Sequence, residues 1–187
     1  MSAALDGFVE QVRAAVAAKT PLRIRGGGSK DFYRPGGQGD LQGELLDTTP
    51  LNGIVSYEPS ELVISALAGT PLRDIEDLLA SRGQALAFEP PRLGGPLAQT
   101  TLGGVVASGL SGPARASRGA ARDHVLGVRM VNGRAQVLRF GGSVMKNVAG
   151  FDLSRLMTGS MGTLGLLLEV TVKVLPQARS EEHTSEL

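Results

Sequence analysis

Twenty-six of the 187 residues are glycine, and the densest of them fall into three short segments, each at the end of a run that reads as a strand or a helix. Gly26-Gly27-Gly28-Ser29-Lys30 follows the strand-like Pro21-Leu-Arg-Ile-Arg25. Thr101-Leu102-Gly103-Gly104 opens a small-residue stretch that ends at Ser108-Gly109, and Thr158-Gly-Ser-Met-Gly-Thr-Leu-Gly165 runs into the last apolar stretch. Glycine has no Cβ, so it takes positive φ and lets another segment or a ligand come close to the backbone. A chain with three such segments must fold so that backbones meet closely at several places. Successive amides in a glycine turn also form a concave nest for a phosphate, and a helix start favours negative charge. Taken singly, each segment is equally an ordinary turn or a close helix-to-sheet contact.

Two familiar phosphate motifs are excluded. A Walker A loop needs four residues between its glycines and then Lys followed by Ser or Thr, whereas here Ser29 precedes Lys30. A dinucleotide fingerprint at Gly103 would need a preceding strand, and Pro90, Pro91 and Pro96 spoil it.

Hydrophobic periodicity supplies the surrounding elements. Leu5, Phe8, Val9, Val12 and Val16 share one helical face, which predicts a helix over 3–18. Short strands are expected at 45–47 and 54–57, and a longer β-type run at 61–68, closed by Gly69. Thr70-Pro71 predicts a helix with Thr70 as its cap, stopping near Arg82-Gly83. The Pro- and Gly-rich stretch 89–104 is expected to separate two lobes, about 1–88 and 89–177. Asn132-Gly133 between two apolar runs predicts a two-residue hairpin turn. Asp152 is expected to cap a short helix through Met157, and 164–175 to form a last strand that alternates from Glu169 onward. Hairpins mixed with helices predict an α+β fold, not a doubly wound sheet.

Composition narrows the chemistry. With no cysteine there is no disulfide or thiolate site, and two histidines, His124 and His183, argue against a histidine-rich metal site. His124 has no titratable partner in sequence and is expected to be structural or exposed. Lys146 and Arg155 are assigned no chemistry. Net charge is +1, and the arginines at 115, 118, 122, 129, 134 and 139 lack interleaved aromatics, so nucleic acid is not an expected partner. No apolar run reaches the roughly 20 residues of a membrane span, and the amphipathic start is not a signal peptide. A cytoplasmic location is expected.

Four segments in order carry a resemblance: Pro21–Ser29, Thr101–Gly104, Arg122–Gly127 and Gly141–Leu156, with Met145-Lys-Asn-Val-Ala-Gly-Phe-Asp-Leu-Ser-Arg-Leu-Met157 the most specific. Together they resemble the PCMH-type FAD-binding domain of vanillyl-alcohol-oxidase-type flavoproteins, and within it the FAD-binding subunits of bacterial glycolate oxidases. The resemblance covers about 21–176. It implies a two-lobed domain whose family members continue into a cap over the flavin ring. The cap is expected to be missing from these residues. Residues 178–187 do not match and are expected to be a non-native or disordered tail, from a cloning or sequencing artefact.

The resemblance further implies which residues meet FAD. Arg25, Gly26, Gly27, Gly28, Ser29 and Lys30 become pyrophosphate contacts, chiefly through backbone N–H groups. Thr101, Gly103, Gly104 and Ser108 match the second cofactor loop, Asp123 the Arg-Asp-x-Val-Leu-Gly segment, and Gly165 and Leu166 the late strand along the cofactor. Pro90 belongs to the segment leading into the second loop. Ser29 stands where relatives that tether their flavin often carry histidine, which implies noncovalent FAD. The implied function is oxidation of a small 2-hydroxy acid, hydride passing to FAD and electrons to a paralogous flavin subunit and an iron–sulfur subunit, in a complex that could sit at the inner membrane. A D-lactate dehydrogenase, or a non-catalytic subunit that holds FAD for an assembly, are the alternatives. Catalytic residues are unassigned and no metal is implied. Without the cap, FAD occupancy is expected to be weak or partial.

Overall fold

The computed structural model describes residues 2–32, 43–94, 99–142 and 151–177. In chain order the elements are α1 (Ser2–Ala18), β1 (Leu22–Arg25), β2 (Glu44–Asp47), β3 (Ile54–Glu58), β4 (Val63–Leu67), α2 (Leu72–Ala80), β5 (Gln84–Ala85), α3 (Leu102–Ser108), α4 (Arg115–Arg118), α5 (Ala121–His124), β6 (Val125–Val131), β7 (Val137–Gly141), α6 (Leu153–Met157), β8 (Leu166–Lys173) and β9 (Leu175–Pro176). The fold is α+β. Met145–Gly150, which include Lys146, and the 178–187 tail lie outside the described residues.

An antiparallel sheet in the order β3-β4-β8-β6-β7 forms the centre, and β1 pairs in parallel with β2 beside it. Strand β8 lies in the middle and is buried at every position but its last. Its residues feed two cores. Leu166 and Leu168 pack with Leu5, Phe8 and Val12 of α1. Leu167, Val170 and Val172 pack with Ile75 and Leu79 of α2 and Val105 and Val106 of α3. Burying such a side chain stabilises by about 1.5–3 kcal/mol, so β8 is the strand on which the fold rests.

The expected break at 88/89 does not divide the sheet. Strands β3 and β4, from the expected first lobe, share it with β6, β7 and β8, because Val63–Leu67 pairs with Glu169–Lys173. The first polar positions of the alternation from Glu169 onward lie inside the fold. Glu169 and Thr171 are buried, the Thr171 hydroxyl lying 2.7 Å from that of Ser65 on β4. Both faces of β8 are covered here, by α1 through one core and by α2 and α3 through the other.

Two local expectations change as well. Thr70 does not cap α2. Its hydroxyl accepts from the Gly53 N–H and donates to the Gly53 carbonyl, while Pro71 occupies the cap position. The hairpin loop spans 132–136, since Val131 pairs with Val137. The Asn132 side chain, not a tight Asn-Gly turn, organises it by accepting from the Arg134 and Gln136 amides, with Ala135 at φ 57°. Asp152 does cap α6, accepting from the Arg155 amide.

Within α1, Gly7 is exposed and a Cβ there would meet nothing within 4 Å. Gly7→Ala is expected to raise stability by about 0.5–1 kcal/mol, since glycine in a helix interior carries that entropic penalty. Denaturant unfolding should show the midpoint rise with an unchanged slope.

Candidate functional site

The three glycine segments come together around Ile24 on β1. A cavity of about 400 Å³ is lined by Leu22–Asp31 from the first, by Thr101, Gly104, Ala107 and Ser108 from α3, and by Met161, Gly162 and Thr163 from the third. A smaller cavity of about 90 Å³ adjoins it, with Gly26, Gly103, Gly104, Gly162 and Gly165 among its walls. A third hollow, about 500 Å³, lies across Leu22, Ile24, Gly162 and Thr163 from the first and is bounded by α1 and by Leu164–Leu166.

The glycines serve this convergence in distinct ways. The Gln99 amide donates to the Gly27 carbonyl at 2.8 Å, and a Cβ on Gly27 would sit 1.9 Å from the Gln99 carbonyl oxygen. Gly26 faces the Thr101 hydroxyl, 2.6 Å from where its Cβ would be. The first two glycines of the triplet are therefore required by close contact with 99–101, Gly27 against the Gln99 backbone and Gly26 against the Thr101 side chain. Gly28, at φ 76°, makes the turn, which closes with the Asp31 amide donating to the Gly28 carbonyl.

At the second segment the helix start is already satisfied. The amides of Leu102, Gly103 and Val105 donate to the carbonyls of Thr70, Ala68 and Thr101, and the Gly104 amide to the Thr101 hydroxyl. No first-turn donor of α3 remains for a phosphate. Gly103 is selected by its approach to Ala68, so close packing explains this pair. The third segment is tied to the end of α3, Gly159 N–H donating to the Val106 carbonyl and Met161 N–H to that of Ala107.

The remaining expected residues separate. Leu166 is buried and borders the hollow beside α1, and Gly165 borders both that hollow and the small cavity. Pro90 is buried outside all three cavities. Asp123 holds the start of α5, its carboxylate accepting from the Ala120 amide at 2.9 Å, and lines none of them. His124 is buried, its Nε2 2.9 Å from the Arg118 carbonyl and its ring against Phe88, a structural position.

The cavity walls bear cationic side chains. Arg25 donates from Nε and Nη2 to Asp31, at 2.9 and 2.7 Å, which clips the two ends of the glycine loop together. Its pKa is raised by that hydrogen bond. Lys30 reaches back to the buried Ser29 hydroxyl at 3.3 Å, and burial lowers its pKa from the ordinary 10.5. A desolvated ammonium beside a glycine-lined hollow favours an anionic ligand. Arg23 also lines the cavity, and sequence reading missed it. On a short strand an arginine alternating with apolar residues reads as solvated, yet its Nε is buried with no hydrogen-bond partner among the described residues.

Residues 6–141 match the family model described as FAD binding domain. The chain belongs to that family. FAD is its cofactor, and the walls fit its anionic part: Arg23, Arg25 and Lys30 line the larger cavity with one carboxylate, Asp31, a surplus of positive charge that suits a pyrophosphate. The chain is similar to glycolate oxidase subunit GlcE of Escherichia coli K12, 53% identical over 94% of this chain and 48% of the relative. It is 32% identical to a D-lactate dehydrogenase of Anaerostipes hadrus, over 74% of this chain and 28% of that one. Against glycolate oxidase subunit GlcD of Bacillus subtilis identity is 30%, over 88% and 34%. The chain thus spans about half the length of the first of these relatives and about a third of the others. Among the described residues no helix is long and apolar enough to cross a membrane, and no group of acidic or histidine side chains could hold a metal.

Proposed function

We propose that this chain is the FAD-holding part of a flavin subunit in a complex that oxidises glycolate or a similar small 2-hydroxy acid. The observation that carries this reading is the 53% identity to GlcE along 94% of the chain, against about 30% to D-lactate dehydrogenases and to GlcD. Bound FAD supplies the acceptor for the hydride lost when the 2-hydroxy acid becomes a 2-oxo acid, the hydroxyl proton leaving to a base. The protein's own part is to hold the cofactor. Gly26 and Gly27 seat the loop against residues 99–101 and Gly28 turns it, Lys30 would offset charge on the pyrophosphate, and the Arg25–Asp31 pair keeps the loop closed. Thr101, Ser108 and Thr163 line the same cavity, with the Ser108 and Thr163 hydroxyls donating to the Val105 and Ser160 carbonyls. Ser29, buried and hydrogen-bonded to Lys30, cannot tether the flavin as a histidine could, so the cofactor is noncovalent.

Electrons leave, in this reading, through a paralogous flavin subunit and an iron–sulfur subunit. A non-catalytic, FAD-holding role is the second reading, favoured by similarity to two differently named subunits of glycolate oxidase. Anaerobic mixing with glycolate distinguishes them. Bleaching of the flavin absorbance by the chain alone supports the enzyme, and bleaching only with the other subunits supports the holding role. Reduction by D-lactate and not by glycolate in either format would overturn the substrate assignment.

A further inference from the structure

We infer that Arg23, on β1, is a cofactor-binding residue that takes the FAD pyrophosphate together with Lys30. The inference rests on the FAD reading and adds to it a residue that the glycine pattern does not reveal.

The charges at the cavity lead to it. Its walls carry three cations, Arg23, Arg25 and Lys30, and one anion, Asp31. Arg25 is committed to Asp31 through two donors. The cations left without a carboxylate partner among the described residues are Arg23 and Lys30. A pyrophosphate diester carries two negative charges, so the surplus on the walls matches it.

Burial points the same way. The Arg23 Nε is shut off from water and has no acceptor among the described residues. A buried donor with no partner is costly, and more so when it belongs to a charged group. Arg23 shares its face of β1 with Arg25, since successive side chains of a strand point to opposite faces, and Arg25 is the one already paired with Asp31. An arginine stem held at the cavity edge gains its acceptors when an oxyanion enters. The guanidinium fork suits two oxygens at once, whereas the lysine acts as a point charge.

The experiment uses flavin fluorescence for FAD and calorimetry for ADP, AMP and inorganic pyrophosphate, with the wild-type chain, Arg23→Met and Arg23→Lys. Losing one charge-assisted pair is expected to weaken FAD and ADP about thirtyfold in Arg23→Met. AMP, which lacks the second phosphate, should weaken less, so the preference for ADP over AMP narrows. Arg23→Lys should recover part of the loss. Should Arg23→Met fold poorly, Arg23→Lys alone decides, because it keeps charge and stem and loses only the fork. Unchanged FAD binding in both variants, or an equal loss for ADP and AMP, would overturn the role of Arg23 and leave the FAD reading standing. Wild-type protein that binds ADP and pyrophosphate through Arg23 but not FAD would overturn the flavin reading and leave Arg23 standing. Binding of none of the four would sink both.

Discussion

Gly27→Ala is expected to abolish FAD binding and to destabilise the fold by about 3 kcal/mol, in the range of overpacking against atoms that cannot move aside. The added Cβ would sit 1.9 Å from the Gln99 carbonyl oxygen and 2.7 Å from its carbon. Both are backbone atoms, so relief requires moving a chain segment. That segment leads directly to Thr101, whose hydroxyl receives the Gly104 amide and faces Gly26. Separation at Gln99 would therefore open the cavity along one side. Thermal unfolding should show a drop of about 6–12 °C for a chain of this size, and flavin titration should show no saturation. Gly133→Ala is the control: a Cβ there would meet nothing within 4 Å, and its midpoint should stay at the wild-type value. Equal behaviour of the two variants would mean that the glycine loop and the 99–101 segment are not in contact.

Lys30→Met is expected to weaken FAD about a hundredfold, close to the upper end for a hydrogen bond to a charged group, roughly 2.7 kcal/mol. The pH dependence is more diagnostic than the loss. Burial lowers the Lys30 pKa in the empty protein below 10.5, so between that lowered value and 10.5 the unfolded chain binds more protons than the folded one. Lys30 by itself thus makes the empty protein more stable as pH rises through that interval. A phosphate beside the ammonium acts in the opposite sense and raises the pKa in the complex. Binding then takes up a proton wherever pH lies between the free and bound values, and affinity falls as pH rises through that range. Titrations in two buffers of different ionisation enthalpy should reveal the uptake in wild type, and it should vanish in Lys30→Met. A wild-type affinity flat across the alkaline range would refute the placement of Lys30 at the pyrophosphate.

The sequence disclosed the meeting of three glycine segments because clustered glycines at element ends signal close backbone approach. It could not say what each glycine approaches. Gly26 and Gly27 face residues 99–101, Gly103 faces Ala68, and the first-turn amides of α3 are all taken. A ligand and a neighbouring backbone impose the same requirement on a residue, the absence of Cβ, so composition alone does not separate them. Arg23 escaped for a different reason: its importance lies in an unpartnered buried nitrogen, which depends on what folds over β1. The alternation from Glu169 onward is in the sequence, but the burial of Glu169 and Thr171 is not, since it depends on the elements that cover both faces of β8. Asp123 came from the resemblance of the Arg-Asp-x-Val-Leu-Gly segment, and its carboxylate holds a helix start. Helix α1, the cap of α6 and most strands were legible, since period and capping chemistry are local.

The central place of β8 also fixes an order of events during synthesis. Strands β4 and β6 flank it and do not pair with each other, so each leaves the ribosome with one edge bare until residues 166–173 arrive. The third glycine segment immediately precedes β8, and its ties to α3 complete one wall of the cofactor cavity. Pairings this distant along the chain close slowly, and open edges invite association with other chains meanwhile. The walls of the larger cavity all precede Leu166 in the chain, yet the strands that carry their neighbours gain their shared partner only with β8. A nascent chain halted before Leu166 would hold every residue that lines the larger cavity and lack the strand that joins β4 to β6.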